Sequence, residues 1–171
     1  AGKPHSYIGL DLAPSAVDLA NKIHQKPNLT FIQGSAEELP IENDRMDVVI
    51  NVESCHCYGC VDKFLREVKR VLKPNGYLLL VDFRNEVKNM ELLQQQIKNS
   101  GLKLVLEENI SNNVISAIEA ENAAKVKRIE ELVPKRWQKL FSDFAGVVGS
   151  RFYTTLKNGT RVYYRFVLQK I

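Results

Sequence analysis

The run Tyr77-Leu78-Leu79-Leu80-Val81-Asp82 is apolar at every position until it ends on an acid. A strand that shows no polar face must be covered on both sides, as strands are in parallel sheets flanked by helices. Asp47-Val48-Val49-Ile50-Asn51 repeats the pattern: an apolar centre closed by a polar residue, as expected of a strand covered on both faces. Between the two, Phe64, Leu65, Val68, Val71 and Leu72 fall at helical spacing, which predicts a helix over Lys63 to Leu72. Asp62 is placed to cap that helix, and Pro74-Asn75-Gly76 to stop it and turn the chain. Strand, helix, strand in so few residues is a βαβ unit.

The alternation extends both ways. Tyr7 to Asp11 reads as a short strand, and Pro14-Ser15 opens a helix whose apolar face is Val17, Ala20 and Ile23. Leu29 to Gln33 is a second short strand. Met90, Leu92, Leu93 and Ile97 mark a helix ended by Gly101, and Leu102 to Leu106 follow as a strand. Four such alternations predict an α/β chain with a parallel sheet and helices on both faces. From Ser111 to Arg136 the chain reads as helical, with a break near Pro134, and the stretch around 111–150 could cover the open end of the sheet. At the C-terminus, Asn158-Gly159 fits either a hairpin turn or a helix end with Gly159 as a left-handed cap. The spacing of Phe152, Tyr153 and Leu156 favours helix, then a long final strand through Tyr163, Phe166 and Leu168.

With 171 residues the chain suits a single domain, and no repeat or linker divides it. No apolar run is long enough for a transmembrane helix, and the opening residues lack the apolar core of a signal peptide, so a cytoplasmic protein is expected. Twenty-four basic and 20 acidic residues leave a net +4. The densest basic stretch, Lys125 to Lys139, interleaves its charges with Glu130 and Glu131, which argues against a nucleic-acid partner. Cys55-His56-Cys57 and Cys60 offer soft donors. A zinc site usually draws ligand pairs from two separated places, however, and no metal is expected here. Reduced thiols in an oxidation-protected compartment are the simpler reading.

In an open parallel sheet, ligands bind beyond the C-terminal strand ends. Three strands end there in polar groups: Asp11, Asn51 and Asp82. An acid ending an early strand can accept hydrogen bonds from a ribose diol, although such an Asp also serves simply to end a strand. Gly34-Ser35-Ala36-Glu37 could present Ser35 and a backbone N–H to a base edge, or merely cap a turn. His56 lies in the loop after Asn51, where a substrate would meet a cofactor. Histidine is the side chain suited to general-base work near neutral pH, with Glu53 able to orient it and Tyr58 able to line an apolar pocket. No G-x-G-x-x-G, P-loop or G-x-S-x-G occurs, which sets aside kinase and hydrolase chemistry.

In order along the chain stand Y-I-G-L-D-L-A-P-S-A (7–16), G-S-A-E-E-L-P-I (34–41), M-D-V-V-I-N-V-E (46–53) and R-E-V-K-R-V-L-K-P-N-G-Y-L-L-L-V-D (66–82). Together they resemble the class I S-adenosylmethionine-dependent methyltransferases. N-V-E-S-C-H-C-Y (51–58), E-E-N-I-S-N-N-V (107–114) and G-T-R-V-Y-Y-R-F-V-L-Q-K (159–170) are most similar to the phthiotriol and phenolphthiotriol dimycocerosate methyltransferase-like group. The resemblance implies a Rossmann-like sheet of order 3-2-1-4-5-7-6 with an antiparallel last strand. It also implies S-adenosylmethionine as cofactor and methyl transfer to a hydroxyl of a small-molecule or lipid acceptor. By it, Asp11 would hold the ribose hydroxyls and Leu12 would pack on the adenine. Ala36 would offer its N–H to the base, with Ser35 where the family usually has an Asp. Asn51 would lie beside the methionine moiety, and His56 would help deprotonate the acceptor.

One departure is large. The family begins with a strand and a glycine-rich cofactor loop, whereas the first strand read here corresponds to the family's second. The chain is therefore expected to be a partial, N-terminally truncated methyltransferase domain over 1–171. Its activity is in doubt, and a homodimer or domain swap could repair the sheet. The competing reading is a non-catalytic methyltransferase-like module acting through dimerisation or protein interaction.

Overall fold

A computed structural model describes residues 5–171. The elements in order are β1 (Tyr7–Asp11), α1 (Pro14–Ile23), β2 (Leu29–Gln33) and β3 (Met46–Val52). A short 3-10 turn (Cys55–Cys57), α2 (Val61–Val71), β4 (Leu72–Arg84), α3 (Val87–Asn99) and β5 (Lys103–Asn109) follow. The chain ends with α4 (Ser111–Leu132), α5 (Lys135–Ala145), α6 (Arg151–Lys157) and β6 (Val162–Gln169). The strands form two sheets, β1–β2 and β3–β4–β6–β5. Pairings β1–β2 and β3–β4 are parallel, and β6 runs antiparallel to both β4 and β5. Counted from the family's second strand, this is the expected order, including its antiparallel last strand. β1 and β3, which that order separates by one strand, share no ladder.

The main core lies between the four-stranded sheet and helices α2 and α3. Phe64, Leu65 and Val68 of α2 and Met90, Leu93 and Ile97 of α3 close over Leu78, Leu80, Phe166 and Leu168. Burying such side chains contributes about 1.5–3 kcal/mol each relative to exposure, so the four-stranded half carries most of the stability. A second cluster, Ile115, Leu156 and Tyr163, seats α4 and α6 on the other face of that sheet.

Three expectations need adjustment. α2 is capped by Cys60 rather than Asp62, which lies in its first turn. Leu72 is not the helix end but the first residue of β4, paired with Met46; Lys73 to Gly76 then bulge outward, and Tyr77 rejoins opposite Val48. Asn75 takes the bend at φ 66, and a Cβ on Gly76 would come within 2.9 Å of the Lys73 carbonyl and 3.0 Å of that of Asp47. Lys73 pins the bulge by pairing with Asp47 at 2.9 Å. The third adjustment concerns β3. Val48, Ile50 and Val52 are 42%, 68% and 57% exposed, so this strand is covered on one face only. At the C-terminus the helix-then-strand reading holds, with Gly159 at φ 77 after α6.

The two sheets are joined by the segment after β2. The Arg70 guanidinium of α2 donates to the carbonyls of Leu39 (2.9 Å) and Ile41 (2.7 Å) and forms a bidentate pair with Glu67 (2.7 and 2.8 Å). Glu67 in turn accepts from the Leu39 amide at 2.7 Å. Its carboxyl is held below the usual glutamate range chiefly by the Arg70 hydrogen bond.

Candidate active site

Two groups of polar residues stand at C-terminal strand ends. The first is on the small sheet. Asp11 ends β1 opposite Gln33, and its Oδ1 accepts from the Ala13 amide at 2.8 Å in an Asx-type turn that leads into α1. The other carboxylate oxygen has no bond among the described residues. Leu12 follows at 71% exposure, an uncovered apolar side chain beside that acid. Gly34 donates to the Asp11 carbonyl at 3.0 Å, which brings the turn after β2 alongside. Within that turn Ser35 Oγ accepts from the Glu37 amide at 3.1 Å, so the hydroxyl serves its own turn, while the Ala36 amide has no partner among the described residues.

The second group is on the large sheet, built from β3, the 3-10 turn and β4. Asp82 is fully buried. Its Oδ2 accepts from the His56 amide at 2.7 Å and lies 3.2 Å from Arg84 Nη1. Its Oδ1 meets His56 Nδ1 at 2.8 Å and accepts from the Phe83 amide at 2.8 Å. A carboxylate can only accept, so His56 carries its proton on Nδ1 and keeps Nε2 as the basic lone pair. The imidazole packs on the Phe83 ring at 4.3 Å between centroids and lines a cleft of about 420 Å³ with Tyr58, Arg84 and Asn89.

Asn51 is 8% exposed; its Nδ2 donates to Tyr58 Oη at 2.7 Å, and that phenol also bonds Ser54 at 2.9 Å. Asn51 Oδ1 is buried with no partner among the described residues. Burial pushes the Tyr58 phenol pKa up. Glu53, at φ 51, bonds Tyr163 Oη, so it braces β6 rather than orienting His56. Burial and that carboxylate push the Tyr163 phenol upward. Cys55 is buried behind the site and its thiol is pushed up to about 11 by burial, with Arg84 Nη2 at 3.3 Å opposing. Among the described residues no three His, Cys, Asp or Glu side chains are grouped to hold a metal ion.

The two groups are linked. Glu37 Oε1, from the turn carrying Ser35 and Ala36, accepts from the amides of Gly59 (2.7 Å) and Cys60 (3.1 Å), next to the His56 turn. The sequence marks Asp82 as a polar strand end, whereas β4 runs on to Arg84 with Asp82 two residues inside it, and its connection with His56 is not legible there. The signal was its likeness to Asp11 and Asn51; the pairing itself spans 26 residues.

Residues 1–145 match a family model described as a methyltransferase domain. The chain belongs to this methyltransferase family. It is 36% identical over 169 residues to the phthiotriol/phenolphthiotriol dimycocerosates methyltransferase of Mycobacterium leprae, covering 98% of this chain and 62% of that protein. The chain thus spans about three fifths of the length of such relatives. The fold is shared with a sarcosine dimethylglycine methyltransferase from Galdieria sulphuraria (TM-score 0.77, 18% identity, 96% of this chain and 69% of that one). It is shared too with the geranyl diphosphate C-methyltransferase of Streptomyces coelicolor, solved with S-adenosyl-L-homocysteine (TM-score 0.67, 12% identity, 96% and 62%). Membership of the methyltransferase family supports S-adenosylmethionine as the cofactor expected from the sequence. No helix of the described residues is long and apolar enough to cross a membrane.

Proposed function

We propose that this chain carries the acceptor-side machinery of an S-adenosylmethionine-dependent methyl transfer to a hydroxyl of a lipid or other small-molecule acceptor. The His56–Asp82 pair is the observation that carries the reading. A carboxylate acceptor needs no base, whereas an alcohol does, and here a histidine is held in one tautomer by a fully buried acid. The triol named in the Mycobacterium leprae relative agrees in acceptor chemistry.

The residues present fit the cofactor. The orphaned, buried Asn51 Oδ1 is an acceptor in want of a donor such as a methionine ammonium. Asp11 has an unused oxygen for a ribose diol, Leu12 a bare apolar face for the adenine, and Ala36 a free N–H. Ser35 is committed to its own turn and contributes less. When bound, the cofactor supplies an electrophilic methyl group on a sulfonium. His56 Nε2 takes the acceptor's hydroxyl proton, and Asp82 stabilises the imidazolium that results. Alignment of acceptor and base in the cleft provides much of the rate.

Calorimetric titration of S-adenosylmethionine, with transfer of labelled methyl to a long-chain secondary alcohol, tests this. Asp11→Ala is expected to abolish binding, and His56→Gln to keep binding while removing transfer. Undiminished transfer by His56→Gln would refute the assignment. The unladdered edges of β1 and β3 favour a second reading, a non-catalytic module that self-associates through those strands. Light scattering that shows a stable dimer without cofactor binding would select it.

A further inference from the structure

α5 has no role in the site just described, yet it is sharply two-sided. Trp137, Leu140, Phe141 and Phe144 recur at i, i+3, i+4 and i+7 and form one stripe. Such a stripe normally faces a core, but no residue of α5 is buried, and Phe144, the last residue of the stripe, is 90% exposed. Beside it the end of α4 leaves Leu132 79% exposed, and the two helices flank an open apolar groove of about 1030 Å³.

The polar side of α5 is mostly basic. Lys135, Arg136 and Lys139 are exposed, and none takes part in an ion pair among the described residues; Asp143 is the helix's single acid. Lys125 and Arg128 of α4 add positive charge at the groove's rim against one lining acid, Glu121, and of the interleaved acids Glu131 is paired with Lys127. Exposed basic groups beside a Trp-Leu-Phe stripe, with Arg136 set over the Trp137 ring at 5.7 Å, are the signature of a helix that lies in the plane of an anionic lipid surface, rings in the acyl boundary and basic groups at the headgroups. A protein partner or second copy would satisfy the apolar stripe, but would leave the excess of basic groups around it unexplained.

We infer that α5, with the adjoining end of α4, docks this chain on an anionic bilayer. The groove shares no lining residue with Asp11, Asn51 and His56, so the inference stands whether or not the methyl transfer reading does. Trp137 is the only tryptophan of the chain, so its emission reports this surface alone.

The test mixes the 171-residue chain with vesicles of equal parts phosphatidylcholine and phosphatidylglycerol, and separately with pure phosphatidylcholine vesicles. A blue shift of Trp137 emission and co-flotation are expected with the anionic vesicles only, weakening as salt is raised. Phe144→Ser should weaken partitioning about tenfold or more, from the apolar area lost. Each of Lys135→Gln, Arg136→Gln and Lys139→Gln should weaken it about fivefold. All four positions are exposed, so the variants should keep the parent's circular dichroism, which is checked alongside. Three results would overturn the inference: no shift with anionic vesicles, an equal shift with pure phosphatidylcholine, or a lipid-independent dimer that Phe144→Ser dissociates.

Discussion

Replacing Asp82 by Asn offers the sharpest test of the site, because the side chain keeps its shape and loses only charge and one acceptor. Each oxygen of Asp82 serves a backbone amide and a second group: Oδ2 the His56 amide and Arg84, Oδ1 the Phe83 amide and His56 Nδ1. Asparagine has one oxygen. If that oxygen takes the Oδ1 place, the new NH2 faces the His56 amide and Arg84, donor against donor. If it takes the Oδ2 place, the NH2 faces the Phe83 amide and forces His56 Nδ1 to become an acceptor, which moves the proton to Nε2. Either way one buried N–H is orphaned, at about 1–3 kcal/mol. Arg84, whose side chain is 11% exposed, also loses its counter-charge, so the total loss should be about 3–5 kcal/mol, as for broken buried pairs. Denaturant unfolding measures that loss. Nitrogen NMR of the His56 ring reads the tautomer, and in the second arrangement methyl transfer should disappear with cofactor binding intact. A variant within about 0.5 kcal/mol of the parent, with Nδ1–H retained and transfer unchanged, would refute the reasoning, since that spread is the one expected of positions without such contacts.

Glu67→Gln should lower stability at neutral pH and flatten its acid limb. The folded carboxyl is held below the ordinary glutamate range by Arg70, so its contribution is present above that range and fades as pH falls through the depressed value. Urea unfolding across acidic pH checks it, and an unchanged slope would count against the clasp. Gly76→Ala should destabilise by about 1–3 kcal/mol through the contacts a Cβ makes with the Lys73 and Asp47 carbonyls; a thermal midpoint equal to the parent's would show that the bulge is softer than described.

Legibility in the sequence followed locality. The strand through Tyr77–Asp82, the helix opened by Pro14 and the final helix and strand around Gly159 are written in an unbroken apolar run, helical spacing and turn residues, all of them signals between near neighbours in the chain. Leu72 was misread because its apolar side chain fits the helical stripe, while its pairing with Met46 depends on a residue far away. The uncovered face of β3 was illegible for the same reason: Val48, Ile50 and Val52 are as apolar as covered residues, and only topology says what stands beside them. At the candidate site the individual groups were readable, since Asp11 and Asn51 sit at strand ends and His56 in the loop that follows the second. Their division into two groups, and the Asp82 partner, are properties of the assembled fold.

The bridge at Arg70 has a consequence for how the molecule behaves as a machine. Where a continuous ladder joins two blocks, their relative tilt is shared over many weak bonds and no single residue controls it. Here the crossing segment is held by a handful of discrete bonds, among them the Arg70–Glu67 clasp and Glu37 on the Gly59 and Cys60 amides, so the span between Asp11 and His56 is adjusted in part by a side chain that touches neither. Arg70 is in effect a set-screw, and its loosening would alter the reach between Asp11 and His56 before it unfolded anything.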